Sequence, residues 1–306
     1  MTKTHDILKE LGQIPSEGIN LASEQIDLMS TKDALHCINN QDAFVAGAVA
    51  DAIPAIANVV DAAVLRLKEG GRLIYIGAGT SGRLGILDAV ECRPTFSVSD
   101  NVVIGIIAGG ETALINAVEG AEDDMQAAQR DLQNIDFNQH DMLIGLAASG
   151  RTPYVIGALN YAKSIQATTA CIVCNPNAPL MHIADIGICA NVGPEVLTGS
   201  TRMKSGTAQK LILNMISTAS MIKLGKTYKN LMVDVNATNE KLVARAIRIV
   251  MQASECEEDV AVNALAISNN NAKLAILYVL TKNDITTCKS LLKNNDGFLR
   301  KALNEF

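Results

Sequence analysis

The chain has 306 residues, 48% hydrophobic, 19% charged and 3% aromatic, with 22 Gly, 7 Pro and no Trp. That length and apolar content support a full-sized core and about two domains, and exclude a disordered or collagen-like chain. The charge sum of −6 argues against bulk nucleic acid or an anionic membrane as partner, and the scarcity of aromatics argues against a base-stacking platform.

The N-terminal MTKTHDILKELGQ lacks the basic-then-apolar order of a secretory signal, and residues 1–40 are expected to form an N-terminal arm. Residues 41–68 carry apolar residues at helical spacing, with Pro54 marking a helix start or kink and Gly70 and Gly71 ending the run. Asp51, Pro54, Asn58 and Asp61 interrupt it, so it falls short of the roughly 18 apolar residues of a membrane span. Continuous apolar runs at 72–76, 102–107, 142–146, 169–174 and 186–190 read as strands buried on both faces. Helical segments at 82–90, 112–131, 153–164 and near Pro179 separate them. This alternation predicts a parallel sheet covered on both sides, with ligands beyond the carboxyl ends of the strands. A long helix over 200–224 follows, and from 239 onward only helical signals occur, at 241–252, 257–268, 272–282 and 285–294. The expected domains are therefore an arm over 1–40, an α/β catalytic domain over 41–238 and a small helical bundle over 239–306.

Seven cysteines, an odd number, show no ligand-like cluster beyond Cys171 and Cys174. In TACIVC they read as small apolar residues of a buried strand. Free thiols without a signal sequence point to a reducing cytoplasm.

The first strand runs into GAGTSGRLG, residues 77–85, in which Gly77, Gly79 and Gly82 fit G-x-G-x-x-G. A dinucleotide site would want an acid at the end of the second strand, and Glu111 comes late for it. The third strand ends in a similar loop, AASGRTPY, residues 147–154. Two Gly- and hydroxyl-rich loops at the ends of different strands suit one compact phosphomonoester. Gly79, Thr80 and Ser81 would hold it on one side, and Ser149, Gly150, Arg151 and Thr152 on the other, through backbone N–H groups and hydroxyls. Ser149 and Thr152 would serve equally as helix caps.

GAGTSGRLG and AASGRTPY resemble the two phosphate loops of the sugar-isomerase (SIS) domain. RLIYIGAGTSGRLGILDA-x-EC, AVEGAED, CNP, GPE-x-x-TGSTRMK-x-GTAQKL and NLMVDV-x-x-TN-x-KL resemble, in order, the signatures of the N-acetylmuramic acid 6-phosphate etherase family. Arg93 stands where that family usually has Pro, and Ser205 where it usually has Ala. The resemblance implies a three-layer αβα sandwich around a flavodoxin-like five-stranded parallel sheet. It further implies removal of a D-lactyl ether from a phosphorylated aminosugar during peptidoglycan recycling, without metal or other cofactor. A homodimer with a shared active site is also implied.

The family's two functional glutamates map onto Glu91, in DAVEC, and Glu122, in EGAEDD. Glu91 would assist lactate departure as the acid, and Glu122 would take the carbon 2 proton as the base. Read without the family, Glu122 sits in an acidic run that suits a solvated face, and Glu91 has Arg83 and Arg93 as candidate ion partners. Asn20, Glu195 and Lys204 are weaker candidates for lining the sugar site. Glu195 would otherwise cap the following helix, and Lys204 would be solvated. An aldose–ketose isomerase and a non-catalytic sugar-phosphate sensor share the phosphate loops. The isomerase reading gives no reason for the two glutamate motifs together, and a transcriptional sensor would be expected to carry a basic recognition helix, which residues 1–40 and the C-terminal helices do not show.

Overall fold

The computed structural model describes Gly12, residues 14–234 and residues 240–306. Most of MTKTHDILKELGQ and the expected 238/239 boundary therefore lie outside the described residues. The chain divides into two compact units: Met1–Val90 with Asn101–Ser217, and Glu91–Asp100 with Thr218–Phe306.

In the first unit three helices, α1 (Thr31–Asp42), α2 (Val45–Asp51) and α3 (Ile53–Lys68), precede the sheet. Pro54 falls in the first turn of α3, where its missing N–H leaves no helical bond unmade. The strands are β1 (Leu73–Gly77), β2 (Val103–Ile107), β3 (Met142–Leu146), β4 (Thr168–Val173) and β5 (Ile186–Cys189). They pair in the order β2-β1-β3-β4-β5, every pair parallel, which is the flavodoxin-like arrangement the resemblance implies. Between them run α4 (Gly79–Phe96), the one-turn α5 (Thr112–Ile115), α6 (Met125–Asn134), α7 (Pro153–Ser164) and the one-turn α8 (Leu180–Ile183).

β1 and β3 are buried at every position, as their unbroken apolar runs require. Ile74, Ile76 and Leu143 share a core cluster with Ala128 and Leu132 of α6 and with Val155, Ala158 and Leu159 of α7. Alternation along β1 sends Leu73 and Tyr75, also fully buried, to the other face.

Register is fixed where β1 and β3 begin. The carboxylate of Asp141 accepts from Arg72 N at 2.9 Å, Arg72 Nε at 3.0 Å and Arg72 Nη2 at 2.6 Å. These bonds raise the Arg72 pKa against the opposing effect of burial. With the starts pinned, Leu73 pairs with Met142 and Gly77 with Leu146, so the loops that follow leave the sheet side by side.

The 112–131 expectation is corrected. α5 stops at Asn116, Gly120 adopts a left-handed φ of 73°, and a 3-10 turn over Ala121–Asp123 follows. α6 then starts afresh behind Asp124, whose carboxylate accepts from Gln126 N at 2.8 Å and Ala127 N at 2.9 Å. Those bonds and Arg130 hold the Asp124 pKa below the usual carboxylate range.

In the second unit, a hairpin of β6 (Thr227–Tyr228) and β7 (Leu231–Met232) leads to five helices. These are α10 (Glu240–Ser254), α11 (Glu258–Ile267), α12 (Ala272–Thr281), α13 (Ile285–Asn294) and α14 (Leu299–Asn304). They close on a core that includes Val250, Leu265, Ile276, Cys288 and Leu299. The buried Lys273 donates to Gly225 O at 3.0 Å and pairs with Asp234 at 2.8 Å. α9 (Lys204–Lys223) is one continuous helix running from the first unit's residues into the second's.

Candidate active site

The first loop turns sharply where β1 ends. Gly79 has φ +51°, and a Cβ added there would meet nothing within 4 Å, so this backbone faces open space at the start of α4. Gly82 has the opposite constraint, since a Cβ would lie 2.6 Å from Ile107 Cγ1 and 2.7 Å from Gly77 O. Its missing side chain lets α4 approach the sheet. Ser81 Oγ donates to Gln209 Oε1 at 2.8 Å, while Gln209 Nε2 is buried without a partner among the described residues. Turning that amide by 180° makes Nε2 the donor and releases the Ser81 hydroxyl hydrogen for an anion. Thr80 lies beside Gly206 of α9.

The second loop is held from beneath. Gly150 has φ +66°, and a Cβ there would run into Ala178. Asn175 Nδ2 donates to Ser149 O at 3.2 Å, and Ser149 Oγ accepts from Arg151 N at 3.2 Å. Thr152 occupies the cap position of α7, but its hydroxyl makes no cap bond and Pro153 follows at the first turn. Capping therefore does not engage the Thr152 hydroxyl. Arg151 is half-buried in the same loop.

Glu122 sits on the 3-10 turn rather than on a helix. It lines a cavity of about 200 Å³ together with Gly79, Arg83, Asn116, Glu119 and Gly120. The first glycine loop and Glu122 are thus brought to one cavity. Glu91 is not among that cavity's lining residues. It is exposed near the end of α4, twelve residues past Gly79, about 18 Å along the axis at 1.5 Å per residue. Neither ion partner read from sequence holds it: Arg93 pairs with Asp100 at 2.8 Å, and Arg83 Nε donates to Leu114 O at 3.0 Å.

Asn20, Glu195 and Lys204 come together in a separate buried network. Glu195, 0% exposed, accepts from Lys204 N at 2.9 Å and from Ser205 N and Oγ at 2.9 and 2.8 Å. It therefore caps α9. Lys204 is 2% exposed rather than solvated, and its Nζ donates to Val192 O at 2.8 Å and Gln41 Oε1 at 3.3 Å. Burial lowers its pKa against the pull of Glu195 and Asp42. Gln41 Oε1 also accepts from Asn20 Nδ2 at 2.9 Å. Gln41 belongs to none of the motifs, so nothing in the sequence singled it out.

The cysteine pair is embedded as its strand reading implies. Cys171 and Cys174 are buried, and burial pushes each thiol up to about 12.

A family model described as "SIS domain" matches residues 115–219, and one described as "Glucokinase regulatory protein N-terminal SIS domain" matches residues 55–163. A phosphoheptose isomerase structure from Francisella tularensis aligns with a TM-score of 0.50 over 63% of this chain and all of that one. At 19% identity it supports the fold alone. A protein of Pseudoalteromonas atlantica named N-acetylmuramic acid 6-phosphate etherase is 57% identical over 98% of both chains. The chain belongs to this etherase family. An etherase-family relative from Vibrio cholerae, named N-acetylmuramic acid 6-phosphate etherase 2, is 56% identical over 98% of this chain and 97% of its own. The motif order read as an etherase resemblance agrees with that membership. Among the described residues, no single helix is long and apolar enough to cross a membrane.

Proposed function

We propose that the protein cleaves the D-lactyl ether of N-acetylmuramic acid 6-phosphate, giving N-acetylglucosamine 6-phosphate and D-lactate in cell-wall amino sugar recycling. The observation that carries this reading, beside family membership, is that Gly79 of the first phosphate loop and Glu122 line one cavity. A phosphate seated on the loops extends the sugar toward a carboxylate.

In the ring-opened sugar, carbon 1 is an aldehyde and the carbon 2 proton is acidic. Glu122 takes that proton, and the electron pair left behind forms the C2–C3 double bond as the C3–O bond breaks. Glu91 supplies a proton to the departing lactate oxygen. Water then adds across the double bond, its hydroxyl to carbon 3 and a proton to carbon 2. Gly79, Thr80, Ser81, Ser149, Gly150, Arg151 and Thr152 hold the phosphate throughout.

Glu91 stands far along α4 from the loop that starts it, so we assign it to the site of a second copy in a homodimer. Leu87 and Val90, 53% and 62% exposed on the same helix beside it, support this assignment. We place the reaction in the cytoplasm, consistent with seven free thiols.

The decisive experiment incubates the protein with N-acetylmuramic acid 6-phosphate and measures D-lactate. Release matched mole for mole by N-acetylglucosamine 6-phosphate is expected. Sugar-phosphate binding without any lactate would leave a sensor, and a ketose product would leave an isomerase.

A further inference from the structure

We propose that Arg83 binds the lactyl carboxylate of the substrate and so selects the ether for cleavage. This inference rests on the etherase reading and adds to it a specificity residue.

The substrate carries two anions. Its phosphate has the glycine loops, whereas its carboxylate needs a donor near carbon 3, one bond from the carbon at which Glu122 works. Arg83 is placed for this. It follows Gly79 by one helical turn, and residues four apart share a helix face. Both line the cavity that Glu122 lines. Arg83 is the only cationic side chain among those lining residues, which also include the carboxylates of Glu119 and Glu122. Without a cation there, a second anion entering the cavity would meet only like charge.

The guanidinium is also oriented for the task. Its Nε donates to Leu114 O at 3.0 Å, which fixes the plane of the group. Neither Nη atom has a partner among the described residues, so four N–H donors remain for a planar carboxylate. Lys204, the cation that the sequence offered for lining the sugar site, has its Nζ on Val192 O and Gln41.

The test uses two reactions that share the phosphate, the aldehyde and the base but differ in the lactyl group. One is D-lactate release from N-acetylmuramic acid 6-phosphate. The other is deuterium uptake at carbon 2 of N-acetylglucosamine 6-phosphate, which has no lactyl group. In Arg83→Gln, kcat/KM for lactate release is expected to fall about ten- to a hundredfold, the range for losing a charged hydrogen-bonded pair. Exchange into the product keeps at least half its wild-type rate, which also shows that the variant is folded. Arg83→Lys falls between, because it keeps the charge and loses the fork. A parallel fall in both reactions would make Arg83 a phosphate or structural residue, and undiminished lactate release would remove it from the site. If the wild-type protein exchanges the carbon 2 proton yet releases no lactate, the etherase reading fails first and this assignment with it.

Discussion

Gly79 and Gly150 both have left-handed backbones, but their surroundings differ, and alanine at each should separate packing from ligand contact. At Gly79, with φ +51° and open space around the missing Cβ, Gly79→Ala costs only the backbone penalty of an L-residue, about 1–2 kcal/mol. At Gly150, with φ +66°, the same penalty applies, and the new methyl also meets Ala178 and Val173. Overpacking of that kind adds about 1–3 kcal/mol, so Gly150→Ala should lose about 2–5 kcal/mol in total. Activity should rank differently. The Gly79→Ala methyl projects into the open space where the proposed reading seats the sugar phosphate, and should raise KM while the fold is nearly intact. The chain has no Trp, so urea unfolding is best followed by circular dichroism, with lactate release measured on the same samples. Equal stability losses at the two positions would refute the packing argument, and an unchanged KM in Gly79→Ala would move the ligand away from the first loop.

Glu122→Gln should abolish deuterium uptake at carbon 2 of the product, and retained exchange would assign the base elsewhere. Glu195→Ala leaves three buried donors on Lys204 and Ser205 without an acceptor, a loss of about 3–6 kcal/mol measurable by chemical denaturation. Burial raises the Asp88 pKa above 3.8, partly offset by the hydrogen bond from Ser217 Oγ at 3.0 Å. A raised carboxyl contributes stability below its unfolded pKa and loses that contribution as pH rises through the folded value. Asp88→Asn should therefore be more stable than wild type at neutral pH, with the advantage vanishing near pH 4; stability curves that stay parallel from pH 4 to 7 would contradict this.

The strands were legible because burial on both faces leaves no room for polar interruptions: β3 and α7 fall on the expected residues, and the other strands within one or two. The 112–131 segment was read through as one helix, although Gly120, left-handed here, and Asp124, which caps α6, are the stop and start signals that divide it. The helical segment expected over 82–90 is longer at both ends, α4 running from Gly79 to Phe96 through Pro94. The loops stood out by glycine and hydroxyl content, and the left-handed turns at Gly79 and Gly150 account for two of the glycines. Lys204 had two readings, lining the sugar site or solvated, and the second fails because Lys204 is buried on Val192 O and Gln41, contacts that no local pattern announces. Arg83 was visible only as a loop-motif residue and a candidate ion partner of Glu91 until Glu122 and Gly79 were found lining the same cavity.

A single uninterrupted rod carries Gly79, Arg83 and Glu91, so its residue count works as a ruler. Inserting one amino acid between Arg83 and Glu91 would swing the glutamate by about 100° and advance it by about 1.5 Å. A point substitution in that span alters one contact; a change in its length would desynchronise everything downstream. Length variation among natural or engineered versions should accordingly gather in the surface connections around the sheet, with the thirteen positions from Gly79 to Glu91 left at constant spacing.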